Sequence, residues 1–160
     1  MKKTIAIAAM LLMAIGSFAQ NGKSIYNKYS DAKDVSAVYI SPSMFKMIGK
    51  IPDMEIGDED MNLTPVIKSL TGLYLINSEN RSINADIKSD VESFVRSGKY
   101  EMVMEVKENG ETVHIYTAAK DDIINSFVLL SYENGECTFI CIDGMMERRQ
   151  LEELLAKSAK

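Results

Sequence analysis

Two segments near the C-terminus alternate apolar and polar residues on either side of the same tetrapeptide, Glu-Asn-Gly-Glu. The first segment reads YEMVMEVKENGETVHIYTAA and the second reads NSFVLLSYENGECTFICIDG. Asn-Gly is the preferred central pair of a two-residue type I′ turn, because the twist of that turn matches the strands it joins. The pattern therefore predicts two consecutive β-hairpins that turn at Asn109-Gly110 and Asn134-Gly135.

Turns this short also predict which residues lie opposite each other in each hairpin. The pairs expected in the first hairpin are Val106 with Val113, Met104 with Ile115, Met102 with Thr117, Glu105 with His114 and Val103 with Tyr116. Those expected in the second are Tyr132 with Cys137, Leu130 with Phe139, Val128 with Cys141, Leu129 with Ile140 and Phe127 with Ile142. Both faces of the second hairpin are apolar. We therefore expect it to lie in the centre of the sheet with both of its faces covered, or to have one face covered and the other in contact with a partner.

The two faces of the first hairpin differ in charge. Glu105 and His114 share one face, whereas the other face carries methionine, valine and isoleucine. Charged groups are rarely buried without a partner, so we expect the methionine face to be core. The predicted partner face is the exposed one, and it is formed by Val103, Glu105, His114 and Tyr116.

The rest of the chain predicts helices that alternate with strands. Helices are expected at Lys23–Asp34, from Ser41-Pro42 to Ile48, between Ile83 and Val95, and after Asp143-Gly144; strands are expected at Val35–Ile40 and Gly72–Asn77. The last helix is expected to start with Asp143 as its N-cap and to bury Leu151, Leu154 and Leu155. The predicted fold class is α+β: a single domain with a roughly six-stranded, mostly antiparallel sheet that ends in two consecutive β-hairpins, helices packed on one face, and a C-terminal helix. The order of the strands is left open.

Residues 1–19 have the pattern of an export signal. Two lysines precede an apolar run at residues 5–15, and Ser17-Phe18-Ala19 forms a small-x-small cleavage sequence. The run is shorter than the about 20 residues that a membrane-spanning helix needs, and no lipid-site cysteine follows it. We therefore expect a signal peptide at 1–19, one domain at 20–160, export to the periplasm, and no stable membrane anchor after cleavage.

The charge balance and the residue types narrow the candidate chemistry. The chain has 18 Lys and Arg against 23 Asp and Glu, a net charge of −5, and after residue 19 it has no basic cluster beyond Arg148-Arg149. Nucleic acid is therefore not an expected partner. His114 is the single histidine, so a histidine-based metal cluster is excluded, and no cofactor is expected.

Cys137 and Cys141 are predicted to lie on one face of the same strand, about 13 Å apart. That distance is too long for a disulfide, whose Cα atoms lie within about 6.8 Å, and for shared coordination of one zinc ion. We expect both residues to pack as small hydrophobic side chains of the core. An intermolecular disulfide stays open as an alternative if that face is exposed.

The acidic loop around Asp58, Asp60 and Asn62 begins like a calcium-binding loop. Leu63 stands where such a loop requires glycine, and Ser69 stands where it requires a bidentate glutamate. The sequence therefore favours a solvated acidic loop over a calcium site.

The stretch IYNKYSDAKDVSAVYISPSMFKMI, the leading peptide without a lipid-site cysteine, and the two closing hairpins resemble domain-of-unknown-function family 4252. The resemblance covers nearly the whole chain after residue 19, and the motifs that carry it are structural. It implies a small exported protein of Bacteroidetes in a periplasmic or envelope setting. An association of such genes with those of sigma and anti-sigma factors implies a link to envelope signalling, and the family supplies no catalytic residues to carry over.

No arrangement of catalytic residues is apparent from these patterns. We therefore expect a non-enzymatic periplasmic or envelope interaction module, whose partner is an envelope protein or a second copy of the chain. The alternative is an exported domain that binds a small molecule or a lipid in a pocket between sheet and helices. A hydrolase that uses His114 with an acidic residue is the third hypothesis.

Overall fold

The chain folds into a six-stranded antiparallel sheet combined with helices. The structure is a computed structural model that describes residues 21–48, 64–150 and 152. Its elements are α1 (Gly22–Tyr29), β1 (Val35–Ile40), α2 (Pro42–Ile48), α3 (Thr64–Ser69), β2 (Leu70–Ser78), α4 (Asn84–Ser97), β3 (Glu101–Glu108), β4 (Glu111–Lys120), β5 (Ile123–Glu133) and β6 (Glu136–Glu147). In space the strands follow the order β1-β2-β6-β5-β4-β3, so the last four form a meander whose β6 edge pairs with β2. These features confirm the predicted fold class.

Helices α1 and α4 cover one face of the sheet, which we call the helix face. The core beneath them is formed by Ile25, Tyr29, Tyr74, Ile76, Ile87, Val91, Phe94, Val95, Tyr116, Val128, Leu130, Cys137, Phe139 and Cys141. Asn21 starts α1 with a capping box, because its side chain accepts a hydrogen bond from the backbone N–H of Ser24. The carboxylate of Asp90 joins the two helices by accepting a hydrogen bond from the Tyr29 hydroxyl at 2.6 Å. Helix α4 ends at Ser97, and Gly98 follows it as the C-cap.

The two hairpin turns differ in backbone geometry. Asn109 and Gly110 have φ angles of 50° and 93°, the two positive values that a type I′ turn requires. In the second turn only Gly135 has a positive φ, 113°, while that of Asn134 is negative. The predicted type I′ geometry is therefore wrong for the second turn, where glycine alone occupies a left-handed position. The register of that hairpin is nevertheless the predicted one.

A β-bulge interrupts the first hairpin at Val103. Met102 pairs with Tyr116 and Met104 pairs with Ile115, so Val103 is the additional residue of β3. The predicted pairs of Met102 with Thr117 and of Val103 with Tyr116 are therefore wrong. The other predicted pairs of both hairpins are confirmed.

Strand β6 continues through Asp143-Gly144, where a turn into the last helix was expected. The Asp143 carboxylate accepts a hydrogen bond from the Ser126 hydroxyl at 2.8 Å across the sheet, so it does not cap a helix. Gly144 lies against the start of β2, because a Cβ atom there would stand 2.7 Å from the carbonyl oxygen of Ser69. Helical structure begins only at residue 148, after the strand has ended.

Some predictions fall outside the described residues. They concern the signal peptide at 1–19, the acidic loop around Asp58, Asp60 and Asn62, and the side chains of Leu151, Leu154 and Leu155. Within the described ranges, each helix is too short or too polar to serve as a membrane span.

Candidate interaction surface

The face of the sheet opposite α1 and α4 presents apolar side chains on every strand, and we call it the open face. Its apolar residues are Val38, Ile40, Leu73, Leu75, Ile140, Ile142, Phe127, Leu129, Val113, Ile115, Met104 and Val106. None of them is buried, whereas the residues that alternate with them on β2, β5 and β6 are mostly buried beneath the helices. Among the described residues, α1 and α4 cover the helix face, whereas three of the twelve apolar side chains on the open face are exposed and nine are half-buried.

The strand register orders this face into rows that cross the sheet. The middle row is apolar on all six strands and consists of Val38, Leu75, Ile140, Leu129, Ile115 and Met104. The row on the side away from the hairpin turns consists of Ile40, Leu73, Ile142, Phe127, Thr117 and Glu101. The row towards the hairpin turns is polar on four strands and consists of Ser36, Asn77, Thr138, Ser131, Val113 and Val106. The apolar rows thus form a continuous band with a polar border.

The glutamates of the duplicated Glu-Asn-Gly-Glu motif lie beyond that polar border. Glu133 pairs with Glu136 and Glu108 pairs with Glu111 at the two turns, and all four side chains are exposed. The Ser131 hydroxyl donates a hydrogen bond to the Glu111 carboxylate at 2.7 Å, which fixes one of them against the face. The turn end of the open face therefore carries a row of negative charge, and its middle carries none.

The residues of the predicted partner face occupy different positions. His114 and Tyr116 lie on the helix face and are only 8% and 7% exposed. Val103 is exposed at the bulge, and the side chain of Glu105 is 41% exposed on the outermost strand. The predicted exposure of His114 and Tyr116 is wrong, because β3 is an edge strand from which Glu105 reaches solvent while it shares the helix face.

Glu105, His114 and Tyr116 form a hydrogen-bonded chain. Glu105 Oε2 lies 2.8 Å from His114 Nε2, and the Tyr116 hydroxyl lies 3.2 Å from His114 Nδ1. An ionised carboxylate only accepts, so Nε2–H donates to Glu105, and in a neutral imidazole Nδ1 then accepts from the tyrosine hydroxyl. Lys107, followed by His114, lowers the pKa of Glu105, while burial raises the pKa of Tyr116.

The hydrogen bonds between Glu105, His114 and Tyr116 are arranged to hold a side chain in place. Its order of carboxylate, imidazole and hydroxyl resembles a catalytic triad, but its hydroxyl is phenolic and the raised pKa of Tyr116 disfavours the nucleophilic phenolate. The described hydrogen-bond partners of His114 do not include a serine or cysteine. The geometry therefore suits positioning of Tyr116 in the core.

Both cysteines lie in the core of the helix face and carry free thiols. Burial raises the pKa of Cys137 to about 11 and that of Cys141 to about 12. Thiolates are the reactive form, so neither residue has the character of a nucleophile or a metal ligand at neutral pH. The prediction that both cysteines are core residues is confirmed.

A family model described as Domain of unknown function (DUF4252) matches residues 29–154. The chain belongs to this family. No curated protein and no solved structure matches it. The matched range contains every strand of the DUF4252 domain and hence the whole open face.

The DUF4252 domain also has a groove of about 410 Å³ where α4 meets the β3–β4 edge. It is lined by Glu92, Val95, Arg96, Tyr100, Met102, His114 and Tyr116. Within the described ranges, no three His, Cys, Asp or Glu side chains are grouped closely enough to hold a metal ion. The groove thus combines the guanidinium group of Arg96 and the carboxylate of Glu92 with apolar and aromatic walls.

Sequence reasoning missed the open face of the DUF4252 domain but contained part of its signal. Apolar residues on both faces of the second hairpin indicated that a second apolar surface exists. The missing information was the side on which α1 and α4 pack, which determines whether Met104 or Tyr116 is buried. Only the tertiary contacts of the helices decide that choice.

Proposed function

We propose that this protein is a non-enzymatic protein-interaction module of the cell envelope, and that the open face is its docking surface. The observation that carries the proposal is the middle row, which is apolar on all six strands and lies in a face with no buried residue. Soluble monomers rarely expose contiguous apolar patches beyond a few hundred Å² unless the patch binds something.

The edges of the sheet support docking on the face over strand addition. β3 is an exposed edge strand, but it carries a bulge at Val103 and charged side chains at Glu101, Glu105, Lys107 and Glu108. Bulges and edge charges discourage pairing with a further strand. The middle of the open face has no comparable protection.

The arrangement of the titratable side chains supports a non-enzymatic role. The one histidine is held beneath α4 between a carboxylate and a phenol, and both thiols are buried with raised pKa values. The export pattern at residues 1–19 supports an envelope location.

Site-specific photocrosslinking in cells that export the protein tests the proposal. A diazirine-bearing residue at position 129, in the centre of the middle row, should give a covalent protein adduct. The same residue at position 47 is the matched control, because Met47 is an exposed apolar residue of α2 outside the sheet. Adducts from position 129 that do not exceed those from position 47 would overturn the docking role.

Binding of a small amphiphile with an anionic head group is a second candidate function. The groove beside α4 favours it, because Arg96 supplies a cation next to the apolar walls of Val95 and Met102. Calorimetric titration with decanoate should then show saturable binding that Arg96→Gln weakens about tenfold or more. Lys120→Gln, an exposed cation remote from the groove, should leave it unchanged. Absence of saturable heat would reject this candidate.

A further inference from the structure

We propose that the occupant of the open face is a second copy of this chain, stacked face to face across a two-fold axis. The inference rests on the proposed docking role and names the partner. It follows from the composition of the face, from its size, and from the position of the four glutamates at the hairpin turns.

The composition of the open face is that of a homodimer interface. Its middle row is aliphatic or thioether on every strand, and charge enters the three central rows only at Glu101 on the edge. Interfaces between identical subunits are more apolar than transient ones and resemble a protein core divided in two. Two such antiparallel sheets pack about 10 Å apart with their strands within about 30° of each other.

The size of the face matches the need of a stable dimer. Six strands at about 4.8 Å spacing and three rows at about 6.6 Å along the strands cover roughly 600 Å². Two copies would together bury on the order of 1,200 Å², which is the lower bound of specific protein–protein interfaces. The two apolar rows and the mostly polar row beside them together therefore reach the area that a dimer needs.

The glutamates at the turns select one of the two symmetric ways to stack the sheets. A two-fold axis along the strands places the turn end of one copy over the turn end of the other, so that Glu133 and Glu136 meet their own copies. An axis across the strands places that acidic end over the opposite end of the partner. Charges of both signs lie at that end, since Lys120, Arg148 and Arg149 stand beside Asp121, Asp122 and Glu147. Like charges in contact destabilise an interface, so the axis lies across the strands.

This orientation also matches apolar rows with each other. With the axis between the middle row and the row of Ile40 and Phe127, these two rows of one copy cover the same two rows of the other. Each strand then lies over its own counterpart and runs in the opposite direction. Leu129 of β5 consequently faces β5 of the second copy.

Sedimentation velocity and crosslink mapping on the exported chain test the dimer. The unmodified chain should sediment as a dimer at micromolar concentration, and Ile140→Lys, in the middle row, should sediment as a monomer with an unchanged far-ultraviolet spectrum. Met47→Lys should stay dimeric. If Ile140→Lys fails to fold, the adduct from position 129 of the otherwise unmodified chain decides, because its crosslinked peptide should come from β5 of a second copy.

The other outcomes separate the dimer from the proposed function. An adduct with a different protein overturns the dimer and leaves the docking role standing. An intramolecular adduct with residues 151–160 overturns both, because the chain would then cover its own face. A chain that is monomeric at all concentrations and gives no adduct also overturns both.

Discussion

Tyr116 and Met104 lie on neighbouring strands and point to opposite faces of the sheet. Tyr116 packs beneath α4 and ends in its hydrogen bond to His114. Met104 belongs to the open face and is 52% exposed. The stability of the monomer should therefore depend on the tyrosine and depend little on the methionine.

Tyr116→Ser is expected to lower the free energy of unfolding by about 3 kcal/mol, because it leaves a cavity the size of a ring in the core. Tyr116→Phe keeps the ring and loses only the contact with His114, so about 1 kcal/mol is expected. Met104→Ala should change it by no more than about 0.5 kcal/mol in the monomer. Chemical denaturation at a concentration where the chain is monomeric compares the three variants. A larger loss for Met104→Ala would show that the open face is covered within the monomer.

The two thiols should be unreactive in the folded protein. Burial raises their pKa values to about 11 and about 12, so the thiolate fraction at pH 8 is small, and access is blocked as well. A disulfide-exchange reagent at pH 8 should label Cys137 and Cys141 only slowly in the native chain and both rapidly in denaturant. Rapid labelling of either thiol before unfolding would contradict its place in the core.

At the scale of elements, local signals predicted well wherever one turn or one cap determines the structure. Asn109-Gly110 fixed the register of the first hairpin from the turn to Met104, and Ser41-Pro42 marked the start of α2. The bulge at Val103 has no comparable signal, because an additional residue in a strand is chosen by pairing and not by residue type. Asp143-Gly144 has the residue types of a turn. It stays in β6 because Ser126 and Ser69, which are distant in sequence, contact it there.

Helix α1 approaches the sheet so closely that its first residue must be glycine. A Cβ atom at Gly22 would stand 2.5 Å from Cys141 Sγ and 2.8 Å from Cys141 Cβ. Helix propensity alone favours alanine over glycine by about 1 kcal/mol, so packing and propensity predict opposite signs for a substitution here.

Gly22→Ala is expected to destabilise the protein by about 1–3 kcal/mol, the usual cost of overpacking a core. The same substitution in a Cys141→Ala background should cost less, since the sulfur atom that stands in its way is gone. A double-mutant cycle by chemical denaturation measures this coupling. Additive effects, or a stabilising Gly22→Ala, would show that α1 does not dock against β6 at this distance.

At the scale of the molecule, the sheet is asymmetric: one face is covered by two helices and the other holds an apolar band with a glutamate row at one end. The sequence predicted the number of layers, because hairpins and amphipathic helices are local. It did not predict which face each residue joins, because Glu105 seemed to require an exposed face and is accommodated by an edge strand. The position of β2 beside β6 likewise depends on long-range pairing that no local pattern encodes.

The stability of the whole domain should fall as pH rises above about 9. Burial raises the pKa of Cys137 from 9.0 to about 11, that of Cys141 from 9.0 to about 12, and that of Tyr100 from 10.0 to about 12. The folded chain therefore keeps protons that the unfolded chain releases. The stabilisation is fully present below pH 9 and is lost as pH rises towards 12.

Each such proton adds a slope of about 1.4 kcal/mol per pH unit within its window. Urea denaturation from pH 7 to 10.5 should accordingly give a free energy of unfolding that is level up to about pH 9 and then declines. In Cys137→Ala/Cys141→Ala the decline should begin nearer pH 10, where the tyrosines with raised pKa values, Tyr29, Tyr74, Tyr100 and Tyr116, still contribute. A free energy that stays level in the unmodified chain up to pH 10.5 would mean that both thiols ionise as readily in the folded chain as in the unfolded one. The core between α4 and the sheet would then admit water, and the contrast between the helix face and the open face would disappear.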